Sequence, residues 1–438
     1  GDDDYTPLAE RPYAEQKVGI LPDSMVQFAA RSSTDVRRNP KDIVDKIKKA
    51  AEKTKSNRIT IAMVGKALTD YELESRKQHG LKRVNLKNIT SEAARGETKK
   101  RMLGLERQRA KALEEISDAM VDEILYEVEE LNQTDGLTWY TENLQDTIEV
   151  LSFYYPEIKQ PGTPRNTFLM FMALTSAENS VEENLKNAMA AYDVWGQNNI
   201  VPVGKDLPAG NWSGKSTGSI DKNMRKLALI RESESFSNDA EMFDWLFDKH
   251  LSSDIGEFLG IKDKKGNFVK VPNRFQTERV YGSTILGAKV GAFFQNISGN
   301  LDIVTQDRWF SRTVFRYIGQ LIQPPKQADY DRFRNALNAK NPGSLSDVAS
   351  RGTILKKAQV EERIYAKRKY KKSTDPIQRE LELAANSLIK KKKEIAQDPG
   401  AAGNRELFQT AVEMASAKLK EQGYDYDPAT VQAILWYY

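Results

Sequence analysis

Hydrophobic positions recur along most of this chain at three- and four-residue steps, the spacing that lines one face of an α-helix. Over residues 92–133, Leu113, Ile116, Met120, Ile124, Val128 and Leu131 keep that period while acidic and basic residues fill the other face. Such a stripe calls for a covering helix. Leu137–Tyr155 is apolar and aromatic and reads as helical. FLMFMAL, residues 168–174, is apolar on all sides and predicts a central buried helix. Val181, Leu185, Ala188, Met189 and Tyr192 continue as an amphipathic helix, and 196–222 is loop-like. Asn238 and Glu241 have capping-box spacing ahead of MFDWLF. Trp309, Phe310, Val314, Phe315, Ile318, Leu321 and Ile322 share one face. Only RITIAMV, Arg58–Val64, has the look of a strand, and it has no obvious partner strand. The pattern predicts an all-α protein with strand content near zero.

The same pattern divides the chain. Residues 1–57 mix Pro, Asp, Ser and Arg and read as an extended arm ending in a short basic helix. Residues 58–135 form a helical extension with the long amphipathic helix, and 136–325 form a central domain. A polar stretch opened by Pro324 and Pro325 predicts a linker over 326–352. Residues 353–438 form a basic helical region ending in DPATVQAILWYY, where Pro428 suits a first helical turn. Three terminal aromatics, Trp436, Tyr437 and Tyr438, suggest a piece of a longer or processed polypeptide.

Composition narrows the chemistry. Among 438 residues there is no Cys and there are two His, His79 and His250. This excludes a disulfide scaffold, an iron–sulfur cluster and a cysteine nucleophile, and it argues against a His-based metal site. No cofactor or metal is expected. The mean hydropathy is −0.62, and no apolar run is long enough to span a membrane. The net charge of +4 hides an asymmetry. From Leu355 to Lys393 there are 13 Lys/Arg against 5 Asp/Glu. Within this tract Lys367, Arg368, Lys369, Lys371 and Lys372 cluster, with Tyr365 and Tyr370 interleaved. They read either as phosphate contacts or as a solvated face.

Two segments could carry chemistry. Gly210–Thr217, GNWSGKST, resembles a phosphate-binding loop, but three residues rather than four separate its first Gly from Gly-Lys, and no strand precedes it. A plain loop is the better reading. Tyr281–Trp309, YGSTILGAKVGAFFQNISGNLDIVTQDRW, is more specific. It predicts a helix–turn–helix with Lys289 opening the second helix. Eighteen residues on, Asp307 opens another helix. A helix N-terminus suits a DNA phosphate. A Lys and a carboxylate so placed can face one pocket, although each alone also fits a surface cation and a helix N-cap.

On these residues the chain resembles the helix-hairpin-helix DNA glycosylase superfamily. Its bifunctional members carry a hairpin of the form L-P-G-V-G-x-K-[TV]-A, then a helix, a short loop and V-x-[VT]-D. The resemblance implies that Gly287 and Ala288 form the DNA-facing turn, that Lys289 is the Schiff-base nucleophile and that Asp307 is the catalytic carboxylate. Upstream, FLMFMALTSAENSVEENLKNAM looks like the family's first core helix and its DNA-entering loop, which places Ser176, Glu178 and Asn179 at the estranged base. Two hairpin positions depart from the pattern: Thr284 replaces the Pro and Ile285 the first Gly. The wording is most similar to glycosylase-like domains embedded in large multi-domain phage and plasmid proteins.

The chemistry implied is base excision from double-stranded DNA. A carboxylate would stabilise oxocarbenium character at C1′, and an amine would attack it and permit strand cleavage. The extruded base needs an aromatic pocket, for which Phe293, Phe294 and Trp309 are candidates, with the core as their competing place. The alternative is a catalytically inactive DNA-binding or virion structural module. The expected partners are double-stranded DNA, other phage proteins or the rest of a larger polypeptide. The expected location is the cytoplasm, or a phage particle that delivers the chain there.

Overall fold

The computed structural model describes residues 61–78, 84–89, 99–126, 144–176, 179–263, 265–269, 279–322, 325–392 and 402–437, with a few single positions between them. The described chain is mostly helical, and three hydrophobic cores organise it. The expected arm, 1–57, lies outside these residues except for Lys49, as does His79.

The first core is built on α4 (Leu144–Leu151), α5 (Thr163–Thr175), α6 (Val181–Asn198), α7 (Thr217–Arg231), α8 (Asp239–Phe247) and α10 (Ala288–Ile297). Residues 168–174 of α5 are all buried, as their unbroken apolar run requires. Each such large side chain contributes about 1.5–3 kcal/mol on burial. Pro164 sits in the first turn of α5, where its missing N–H is harmless. Asn238 caps α8 by accepting from the Glu241 N–H. Two three-residue strands, β1 (Lys249–Leu251) and β2 (Arg279–Tyr281), pair antiparallel with His250 opposite Val280. The short helix α9 (Ile255–Phe258) follows β1.

The second core joins α2 (Leu86–Ile89), α3 (Lys99–Leu125), α11 (Arg308–Tyr317), α15 (Ala402–Glu421) and α16 (Pro428–Tyr437). Leu113, Ile116, Met120 and Ile124 of α3 are buried there, chiefly against α15. The stripe therefore has the partner that its sequence demanded. The final helix knits two cores together: Ala429 and Ala433 enter the first, while Val431, Ile434 and Leu435 enter the second. The side chains of Trp436, Tyr437 and Tyr438 lie outside the described residues.

Three sequence expectations are corrected. Ile61–Val64 open helix α1 (Ile61–Gln78) rather than a strand, and α1 packs on α11. The stretch 326–352 is no plain linker. It contains α12 (Gln327–Lys340), which with α13 (Arg351–Lys367) and α14 (Pro376–Lys391) forms the third core. Polar composition concealed the four buried residues Tyr330, Phe333, Ala336 and Leu337 of α12. The first helix of the expected helix–turn–helix, ending near Tyr281, is instead the strand β2 followed by a 3₁₀ turn. Within 136–325, α11 packs in the second core and the earlier helices in the first.

Just beyond α13, Lys369 at φ 51° and Tyr370 at φ 57° are both left-handed. The Tyr370 N–H closes the end by donating to the Tyr365 carbonyl at 3.1 Å. A left-handed non-glycine residue costs about 1–2 kcal/mol. Lys369→Gly is therefore expected to stabilise the protein by about 1 kcal/mol in urea unfolding. A loss of stability would show that the lysine side chain contributes more than its backbone costs.

Candidate nucleic-acid interface

A helical hairpin stands at the centre of the candidate site. Gly282–Leu286 forms a 3₁₀ turn, Gly287 reverses the chain, and α10 follows. Gly287 has φ 120°, a conformation that favours glycine, and the space a Cβ would occupy is open. Gly291 has the opposite constraint. A Cβ there would lie 2.3 Å from the Ser283 carbonyl oxygen, so the two arms touch backbone to backbone. The buried Ser283 hydroxyl donates to the Gly291 carbonyl at 3.1 Å, and the Gln295 amide donates to the Ser283 Oγ at 3.0 Å and the Leu246 carbonyl at 2.9 Å. Gly291→Ala should therefore destabilise by about 3 kcal/mol, as overpacking against backbone does. That outweighs the helix-propensity gain of about 1 kcal/mol from Gly to Ala. Thermal unfolding reads the sign directly.

Ile285, at the first hairpin glycine of the family pattern, is buried in the first core. Lys289 is the second residue of α10 and half-buried. Gly287 offers the helix no side-chain cap. The first-turn N–H groups of Ala288, Lys289 and Val290 thus form the positive end of the helix dipole beside a lysine.

Asp307 is the N-cap of α11, its Oδ1 accepting from the Phe310 N–H at 2.9 Å. The loop leading to it is fastened to the far end of α10. Asn296 Nδ2 donates to the Ile303 carbonyl at 2.7 Å, and the Thr305 hydroxyl donates to Asn296 Oδ1 at 2.5 Å. Asn296 lies seven residues beyond Lys289, about 10 Å along the helix axis. No hydrogen bond or ion pair joins Lys289 to Asp307 among the described residues. Lys289 belongs to a first-core helix, and Asp307 opens a second-core helix. The two residues therefore stand on helices that pack in different cores.

The pocket aromatics divide. Phe294 is fully buried and stacks on Phe247, with ring centroids 5.0 Å apart, which places it in the core. Phe293 is partly buried against the same core. Trp309 is half-buried, and the Arg312 guanidinium lies over its ring at 4.9 Å. Burial, and Arg308 nearby, lower the Arg312 pKa to about 10.

The expected DNA-entering loop is tied inward. Ser176 ends α5 and donates to the Ala173 carbonyl at 2.8 Å. Asn179 donates to the Thr175 carbonyl and accepts from the Lys215 N–H, both at 2.9 Å. Its amide is spent on the protein rather than offered to a base. Glu178 lies outside the described residues. Asn187 also grips the 210–217 loop: its Oδ1 accepts from the Ser213 N–H at 2.9 Å and its Nδ2 donates to the Ser213 carbonyl at 3.0 Å. These amides already occupy the Ser213 and Lys215 N–H groups, two of the donors a phosphate cradle in GNWSGKST would use. Residue spacing alone gave no sign of them.

Lys367, Arg368, Lys369, Lys371 and Lys372 are exposed where α13 turns toward α14. Arg368 pairs with Glu382, a buried carboxylate that also accepts from Gln378 at 2.9 Å and the Ser373 N–H at 3.2 Å. Arg368 therefore has a structural role in holding the turn. The four lysines have no ion-pair partner among the described residues.

A residue the sequence did not single out lies at the hairpin. Lys226 of α7 donates to the Ile285 carbonyl at 2.9 Å. Burial, and then the neighbouring Lys222 charge, lower its pKa below the ordinary lysine value.

Comparison with known protein families, curated proteins and solved structures gives no match for this chain. What fold and site define is a coarse class: a mostly helical protein in which no described helix is long and apolar enough to cross a membrane.

Proposed function

We propose that this chain binds double-stranded DNA through the Gly282–Ile297 hairpin and acts on it as a glycosylase-like enzyme of a phage or mobile element. The observation that carries the reading is the hairpin itself. Its turn needs Gly287 for its backbone angle, its arms need Gly291 for their close approach, and its second helix begins uncapped with Lys289 in its first turn. Backbone N–H groups at a helix start, an adjacent cation and a tight glycine turn suit a phosphodiester backbone. Lys289 is then the amine nearest the sugar and the nucleophile for base excision, and Asp307 is the electrostatic partner.

A second reading keeps the DNA binding without the chemistry. The Asp307 cap and the inward-tied Asn179 favour it, because both have complete structural roles. Borohydride trapping on duplexes carrying damaged or modified bases separates the two. A covalent adduct with wild type supports the enzyme. DNA binding without any adduct supports the inactive module, and absence of binding removes both.

A further inference from the structure

We infer that Lys222 and Lys226 of α7 form a second phosphate-gripping pair beside the hairpin, so that DNA is held there by side-chain cations as well as by backbone amides. This inference rests on the DNA-binding reading above and names the residues that would grip the phosphates.

Three observations carry it. Lys226 reaches the hairpin turn directly, through its 2.9 Å bond to the Ile285 carbonyl, four residues before Lys289. Lys222 precedes it by one helical turn and is exposed, close enough for its charge to act on Lys226. Like charges at this spacing repel and weaken a helix. Yet no carboxylate accepts from either lysine among the described residues, and the acceptor that Lys226 does have is a neutral carbonyl.

Two other charges of α7 are handled differently, while exposed Arg225, three residues after Lys222, likewise has no ion-pair partner among the described residues. Arg231 at its end pairs with Asp239 at 2.7 Å. Asp221 accepts from the Gly204 N–H at 2.8 Å and the Trp212 indole at 2.6 Å. Asp221 and Arg231 are satisfied internally, whereas Lys222, Arg225 and Lys226 leave the middle of the helix with three cations and no carboxylate partner among the described residues. An anion between α7 and the turn would relieve the repulsion, and a phosphodiester is the anion that the neighbouring hairpin suits.

The arrangement also bears on Ile285. The family pattern places a glycine there for close amide approach to phosphate. Here the isoleucine side chain is buried and its carbonyl holds a lysine, so a cation stands at the edge where a glycine amide would otherwise meet the phosphate.

The test is the salt dependence of binding between the full-length chain and a fluorescein-labelled DNA duplex, read by anisotropy. The variants are Lys222→Gln, Lys226→Gln, their double and Lys226→Arg. Each phosphate left without its cation should lower the log–log salt slope by about 0.9, so the double variant should fall by about 1.8. Lys226→Arg should keep the wild-type slope. An unchanged slope in the double variant overturns the inference. Should the Lys226→Gln variants fail to fold, exposed Lys222→Gln alone decides, its slope falling by about 0.9 or not at all. Failure of wild type to bind DNA overturns the DNA-binding reading instead, so the two failures are distinguishable.

Discussion

Lys289→Gln is expected to abolish borohydride trapping, because an amide cannot form a Schiff base, while leaving the fold intact. Lys289 is half-buried, makes no ion pair among the described residues and sits at a helix start, so little packing goes with it. Asp307→Asn is expected to slow base release by roughly 10²–10³, the effect of removing one preorganised electrostatic group. The same change should cost only a fraction of 1 kcal/mol to about 1 kcal/mol of stability, since Asn also caps helices well. Activity and stability therefore part company for a catalytic carboxylate and stay together for a simple cap. Single-turnover base release alongside urea unfolding measures both. A variant that loses neither activity nor stability would leave Asp307 with no role in either account.

The second large effect is expected far from the hairpin. Glu123 of α3 is fully buried and accepts from Arg316 Nη2 at 2.6 and 2.8 Å and from the Tyr317 hydroxyl at 2.8 Å. Burial opposes the Arg316 charge, yet Glu123 beside it holds the guanidinium pKa above its ordinary value. Arg76 of α1 adds a neighbouring link, donating to Glu115 of α3 at 2.6 Å. These bonds fasten α1, α3 and α11 across the second core. Glu123→Ala should destabilise by about 3–5 kcal/mol, because it leaves a buried guanidinium uncompensated. A Glu123→Leu/Arg316→Met double variant should recover much of that, since a packed apolar pair avoids the desolvation cost of both ions. A single-variant effect under about 1 kcal/mol in urea unfolding would show that solvent reaches Arg316. The network also bears on the site, because α11 begins at Asp307 and ends at Arg316 and Tyr317. Loosening its end should blunt any reaction that depends on where Asp307 stands.

The helices were legible wherever a local signal existed. The all-apolar run of α5, the stripe on α3 and the Asn238 cap each lie within one helix or its first turn. Their meaning follows from the 3.6-residue period and from capping, both local properties. The basic tract around Lys369 was legible for the same reason, as was the helix opened by Lys289, but the helix expected to end near Tyr281 is the strand β2. The failures were also local in origin. Ile61–Val64 were read as part of a strand, although they open a helix that continues to Gln78. The 326–352 stretch was read from polarity, although four of its residues suffice to anchor a helix.

By itself, then, the sequence determined that the chain is built of helices, where its charge concentrates, and which residues open the hairpin and the helix at Asp307. Only the tertiary structure decided how the helices are shared among three cores, that Asn179 faces inward, that Phe294 is core, and that Lys226 reaches the hairpin. Each of these depends on partners separated in the chain. Asn179 meets the Lys215 N–H 36 positions on, Lys226 meets Ile285 after 59, and Glu123 meets Arg316 after 193. Glu123 did leave one trace, as a carboxylate three residues after Met120 on an otherwise apolar stripe. A charge in that place requires a buried partner, but nothing local says which residue supplies it, because pairing over such separations is set by packing rather than by periodicity.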